Sequence, residues 1–252
     1  MHHRLDALLP LAGAILFVVL WWLLALSGVI DPVLMPAPQD AAVALWKGFA
    51  DGTLTHDFWQ TVWRTVLSFV IATAIGVPLG IALGSSSRVY AAVEFVIDFF
   101  RSTPASALFP MFLVIFGVGE KTKIAVAAFG AALVILFNVA YGVMNAKKTR
   151  QAAAHVMGAG RLRIMVDVTL WESLPQTFVG MRSGISLALV IVIVAEMFIG
   201  STDGLGQRVI NAQMVFDMPL MYAAIFAAGA LGYGLNLLFL VIERRFVHWG
   251  GK

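Results

Sequence analysis

Between Ala7 and Ile30 the chain carries no charge, and long runs of nearly uncharged sequence recur through to its end. A helix that crosses a hydrocarbon core of about 30 Å needs about 20 predominantly apolar residues. Within a bilayer no water satisfies backbone groups, so such a run must close its own hydrogen bonds as a helix. Composition points the same way: 60% of residues are hydrophobic and 12% charged, against about 25% charged in a typical soluble domain. So few charges would not solubilise a surface, and lipid is the better solvent. There is no cysteine, which excludes disulfides, thiolate catalysis and Cys-ligated metals. The histidines, at positions 2, 3, 56, 155 and 248, are scattered and suggest no metal set. The basic residues lie between the apolar runs, a pattern of membrane topology rather than of nucleic-acid binding.

The sequence therefore predicts an all-α polytopic membrane protein with about six transmembrane helices. The expected spans are 7–30, 58–84, a short one over 104–118, then 124–144, 175–200 and 219–242. Ala25-Leu26-Ser27 ahead of Gly28 resembles a signal-peptide cleavage site. The uncharged run is long for a signal peptide, so a retained helix is expected. Pro32, Pro36 and Pro38 break the chain after the first span, and 41–49 reads as a short interfacial helix. Residues 89–100 read as an amphipathic surface helix, with Glu94, Asp98 and Arg101 on one face and Asp98 and Arg101 pairing locally. Three parts are expected: 1–57, a first helix and an external connection; 58–245, the transmembrane core; and 246–252, a cytoplasmic tail. With both termini in the cytoplasm, Lys47, Arg64, Lys121, Lys123 and Arg208 fall outside and the other 12 of the 17 basic residues fall inside. The positive-inside rule favours that orientation, which places 147–174 in the cytoplasm.

Gly76, Gly80 and Gly84 recur every four residues, stack on one helical face and let a second backbone approach closely. Packing inside one bundle is the expected use, ahead of a dimer face. A self-contained ATPase would need a phosphate loop, and the nearest match is Gly117-Val118-Gly119-Glu120-Lys121-Thr122. A Glu separates the last Gly from the Lys and no strand precedes it, so the match is rejected. No dinucleotide fingerprint, His-Glu-x-x-His or Gly-x-Ser-x-Gly is present. No catalytic, cofactor-binding or metal-binding residue is assigned.

Two stretches carry a resemblance. One runs Ala152-Ala153-Ala154-His155, then Gly158-Ala159-Gly160-Arg161, then Leu170-Trp171. The other is Leu174-Pro175, Gly180, Arg182, Ala195-Glu196-Met197-Phe198 and Gly204-Leu205-Gly206, with Leu34-Met35-Pro36-Ala37-Pro38 and Val77-Pro78-Leu79-Gly80 upstream. Together they resemble the inner-membrane permeases of binding-protein-dependent ABC importers, closest to the nitrate/sulfonate/taurine/bicarbonate group. That family carries a cytoplasmic signature of Glu-Ala-Ala, three residues, Gly, nine residues and an Ile-x-Leu-Pro-like end. Here Ala152 stands at the Glu position and Trp171 at the Pro position, and Lys147-Lys148 precedes the loop.

The resemblance implies a type I importer permease in the bacterial cytoplasmic membrane. It implies cytoplasmic ATPase subunits that hold ATP and magnesium, a periplasmic or extracellular binding protein, and a second permease, identical or related. The permease itself would not be an enzyme. ATP binding would close the ATPases, and the loop 152–171 would pass that motion to the spans. A small anion such as a sulfonate, nitrate or bicarbonate would be the substrate. Independently of the family, small residues and two glycines make a compact helix–turn–helix that fits a partner's groove. Lys147, Lys148, Arg150, Arg161 and Arg163 supply a charged rim. The same basic residues would also suit anionic lipid.

Charges at membrane depth are costly and mark functional sites. Glu196 is expected to line or gate the path, or to pair with a cation on a neighbouring helix. Arg64 is placed near a mouth of the path, attracting an anion or reaching to headgroups. Asn138 is a candidate interhelical hydrogen bonder. Two other classes fit less well. An ion-driven transporter would show broken helices and paired intramembrane carboxylates, and a membrane scaffold would leave the long Gly-containing loop without a purpose.

Overall fold

The computed structural model describes residues 2–247, with side chains from Leu9 onward, so the end of the expected tail lies outside the described residues. The described chain is helical and contains no strand. α1 is His2–Leu26, α2 Pro38–Ala50, α3 Thr53–Gly84, α4 Ser87–Ser102 and α5 Phe109–Phe116. α6 is Glu120–Met144, α7 Lys148–Val156, α8 Arg161–Ile164, α9 Leu170–Phe198, α10 Leu205–Met214 and α11 Met218–Phe246. Five helical stretches are long and apolar enough to cross a membrane, and a sixth crossing results if the bent pair around residue 103 is one span.

Two boundaries differ from the sequence reading. The expected surface helix and the short stretch after it are both present as helices, α4 and the helix over 105–116, bent 93° apart and broken where Pro104 removes a backbone donor. The fifth span starts well before Pro175: α8, a π turn over Met165–Thr169 and α9 run on without a break, with Pro175 inside α9. What read as the second helix of a separate hairpin is thus the first turn of a span. The fourth span starts before the expected residue 124, because α6 already begins at Glu120.

The bundle core is α3, α6 and α9. α3 and α6 run parallel, because α4 and α5 lead the chain back between them, and α9 returns antiparallel to both. Phe69, Ile135, Val139 and Ile185 pack at the centre. The glycine ridge of α3 faces α6. A Cβ at Gly76 would lie 2.9 Å from the Ala132 carbonyl oxygen, one at Gly80 2.7 Å from that of Leu136, and one at Gly84 2.6 Å from that of Ala140. In lipid, where apolar burial drives little association, such backbone approach is what holds helices together. A second cluster packs Phe109 and Phe112 of α5 against Val126 and Val192. A third joins Leu54, Leu205 and Leu231. α1 packs lightly: Trp21 stacks on Tyr222 and Phe226, with ring centroids 5.7 and 5.3 Å away.

Candidate functional site

The two ends of this bundle differ in chemistry. At one end lies a lattice of charges, buried at its centre and open to the surface at Glu120. At the other a loop stands out into water.

The lattice starts from α3. Asp57, Thr61 and Arg64 follow at i, i+4 and i+7, so one stripe of an otherwise apolar helix is polar. A guanidinium has five N–H donors, and Arg64 uses all five. Nε and Nη2 clamp both Glu120 oxygens at 2.6 and 2.8 Å. Nη1 donates to Glu196 Oε1 at 2.8 Å and to the Asp203 carbonyl at 3.0 Å, and Nη2 also donates to the Asp203 carboxylate. Arg64 is only 2% exposed and Glu196 fully buried. Lys123, also buried, reaches Glu120 at 2.6 Å and Ser201 at 2.9 Å. Arg64 therefore does not extend to headgroups: the buried Glu196 and the more exposed Glu120 and Asp203 offset its charge, which would otherwise be costly to bury.

The same lattice caps α10. The first N–H groups of a helix have no intrahelical acceptor. Here Gly204 N–H donates to Asp57 at 2.9 Å, Leu205 N–H to Thr61 at 2.9 Å and Gly206 N–H to Glu196 at 2.9 Å. Two carboxylates thus sit at the positive end of the helix dipole. Arg208 of α10 reaches back to Asp57 at 2.6 Å. Gly204 has φ +110°, open to glycine, and a Cβ there would lie 2.6 Å from Arg64 Nη1. At Asp203, burial alone would raise the carboxyl pKa; the Arg64 hydrogen bond and charge outweigh it and hold the group below its ordinary value.

Asn138 is not part of this lattice. It lies 15 residues along α6 from Lys123, about 22 Å at 1.5 Å per residue. There it accepts a hydrogen bond from Gln176 of α9 at 2.8 Å. Thus Arg64 and Glu196 come together and Asn138 stands apart. Asp57, Thr61, Glu120, Lys123 and Asp203 were not singled out in the sequence, although the spacing of the α3 stripe was there to read.

Thr61 offers a clean test of the lattice. Thr61→Val keeps the shape but leaves the Leu205 N–H and one Glu196 contact without a partner, an expected loss of about 1–3 kcal/mol. Thermal unfolding of the purified chain followed by Trp fluorescence reads this. An unchanged midpoint would mean that the threonine is dispensable.

At the opposite end, α7 carries Ala152, Ala153, Ala154 and His155. Gly158 turns the chain at φ +85°, and Ala159 and Gly160 lead to Arg161 at the start of α8. Val156 (87%), Met157 (85%) and Leu162 (79%) are exposed apolar side chains around this turn. An Arg150–Glu172 ion pair and a 3.2 Å Gln151–Thr169 hydrogen bond fix α7 to the start of α9. Leu170 is half-buried and Trp171 exposed, one turn beyond. The result is a rigid projection of small and apolar side chains with cations at its rim.

This architecture has relatives. The sequence model of the binding-protein-dependent transport system inner membrane component family matches residues 76–248. The taurine transport system permease protein TauC of Escherichia coli strain K12 is 28% identical over 237 residues, covering 92% of this chain and 86% of the relative. The riboflavin transport system permease protein RibX of Chloroflexus aurantiacus is 31% identical over 216 residues, covering 86% and 80%. A chain of the inward-facing MetNI methionine ABC transporter superposes with a TM-score of 0.66 at 23% identity, over 76% of this chain and 94% of that one, a likeness of fold. A family match over more than half its length, on a multi-span helical bundle with a projecting loop, makes this chain a member of the binding-protein-dependent inner membrane components, the permease subunits of ABC importers.

Proposed function

We propose that this permease forms a translocation path with a second permease copy, and that the projection from Ala152 to Trp171 docks a separate ATPase. The projection carries the reading. Val156, Met157 and Leu162 face water at the end of a span, a cost that a partner's groove would remove. The pins at Arg150 and Gln151 make the projection move with α9. ATP and magnesium would then be held by the partner, and ATP-driven closure there would reach the bundle through α9 as a rigid-body shift. An external binding protein would deliver substrate at the lattice end, placing the α7–α8 end in the cytoplasm, as the count of basic residues favours.

The lattice fits a structural part in this scheme better than a path lining. The donors of Arg64 are all engaged and both Glu196 oxygens accept bonds. We assign it the work of holding the 199–206 loop against α3 and α6. Asn138 belongs to the same class, as a link between α6 and α9.

For the substrate, a small sulfonate anion is the preferred reading, supported by the likeness to TauC over 92% of this chain. Riboflavin is the second, supported by the likeness to RibX. Uptake of labelled taurine and of labelled riboflavin by cells expressing the whole operon separates the two.

Docking is tested by pull-down. The tagged chain in mild detergent should carry an ATPase, and Gly158→Asp or Ala153→Glu should lower the ATPase activity of the eluate at least tenfold. A tenfold loss corresponds to about 1.4 kcal/mol of interface energy, less than a charge without a partner in an interface core costs. A wild-type chain that elutes without any ATPase would sink the reading.

A further inference from the structure

We propose that a phosphate group, carried by an anionic phospholipid, binds in a cavity beneath the docking projection. The cavity, of about 430 Å³, lies where α3 and α6 end and α7 and α8 begin. Its polar wall is Lys148, Arg161, Ser85 and Ser87, and its floor is the Gln151–Thr169 pair. No carboxylate lines it. Lys148 and Arg161 form no ion pair among the described residues, whereas the neighbouring Arg150 and Arg163 both do. The Ser85 hydroxyl is already committed to the Ile81 carbonyl, so the donors that remain for a phosphate are the two cations, the Ser87 hydroxyl and the second N–H of the Gln151 amide.

The opposite wall selects lipid over a free ion. Val143, Met144 and Ile164 are apolar and line the same cavity. Its depth fits too, because the apolar runs of α3 and α6 stop at Gly84 and Met144, the level at which headgroups begin. The π turn at Met165–Thr169 contributes: it brings the buried Thr169 hydroxyl within reach of Gln151 and of the Ile164 carbonyl, 3.2 and 3.3 Å away. Such turns recur at binding sites. A phosphodiester set against Lys148 and Arg161, with its glycerol and first methylenes against Val143 and Ile164, would use both walls.

This inference does not depend on ATPase docking, and its readout is lipid on the permease itself. The full chain is reconstituted in nanodiscs of phosphatidylglycerol and phosphatidylcholine, extracted, delipidated stepwise and weighed by native mass spectrometry. Wild type should keep one phosphatidylglycerol after the bulk lipid is gone. Lys148→Gln with Arg161→Gln should lose it, with retention falling about fivefold for each charge removed. Lys148→Arg with Arg161→Lys keeps both charges and should keep the lipid, which separates lost charge from lost fold. Ser87→Ala should weaken retention without disturbing the thermal midpoint. If wild type keeps no lipid but millimolar inorganic phosphate raises its unfolding temperature, and does not in the Gln pair, the phosphate site stands with the free ion as its source. Equal phosphatidylglycerol on wild type and the Gln pair, or no response to lipid or phosphate, overturns the proposal, as does a cavity filled instead by an acidic side chain of the docked ATPase.

Discussion

Arg64→Met should be among the most damaging single substitutions in this protein. It removes five hydrogen bonds and leaves the carboxylates of Glu196, Glu120 and Asp203 facing one another around an apolar side chain. Breaking a buried ion pair by removing one partner costs about 3–5 kcal/mol, a large share of the stability of any domain. The purified variant should unfold far below wild type in a Trp-fluorescence melt, and much of it should be lost before purification. Two comparisons give the reason. Arg64→Lys keeps the charge but not the two-pronged grip on Glu120, so it should fall between wild type and Met. Glu196→Gln can still accept from Thr61, so it should cost less than Glu196→Ala. Arg64→Met combined with Glu196→Leu should cost less than the two single losses added, because the double change leaves no charge stranded between them. If the Met variant melts like wild type, the lattice carries no load and the assignment above is wrong.

Gly80→Leu should separate the two central helices. Its Cβ would lie 2.7 Å from both the Leu136 carbonyl oxygen and Val139 Cβ. Neither is the end of a flexible chain, so α3 and α6 must part. Overpacking costs about 1–3 kcal/mol and occasionally more, and here the Phe69–Ile135–Val139 cluster would open with it. The expected result is an aggregated profile on size-exclusion chromatography and a collapse of expression, with Gly80→Ala intermediate. Gly229→Leu and Gly234→Leu are the controls. Both glycines lie in α11 with nothing within 4 Å of an added Cβ, so the monomer should tolerate them. Damage at Gly80 no worse than at Gly234 would mean that the ridge does not set the helix spacing.

Much of this protein is determined by local chemistry and can be read without coordinates. Runs such as Ala7–Ile30 force membrane helices, because lipid offers backbone groups no other partner. The fourfold spacing of Gly76, Gly80 and Gly84 follows from helical geometry alone. The family is carried by residues close together in sequence, around Gly158 and from Ala195 to Gly206, and local sequence preserves such motifs. Helix ends were harder. Pro175 reads as a boundary because its ring disfavours a preceding helix, yet α8, the π turn and α9 run straight through it.

Tertiary structure decided the lattice. Arg64 and Glu196 are 132 residues apart, and nothing in one sequence says that a lone arginine and a lone glutamate in two apolar helices will meet. The sequence allows Glu196 a cation on a neighbouring helix but does not say which, and Arg64 reads as reaching a mouth or headgroups, because the cost of burying a charge falls only when its partner is in place. The fold supplies the partner by running α9 antiparallel to α3, so that the end of one helix meets the start of the other. Long-range pairing of that kind is a property of helix packing and rotation, which residue spacing along a single helix does not encode. The same holds for the cavity beneath the projection, whose walls come from residues between Gly84 and Thr169 brought together by the packing of α3 on α6 and the turn from α6 into α7.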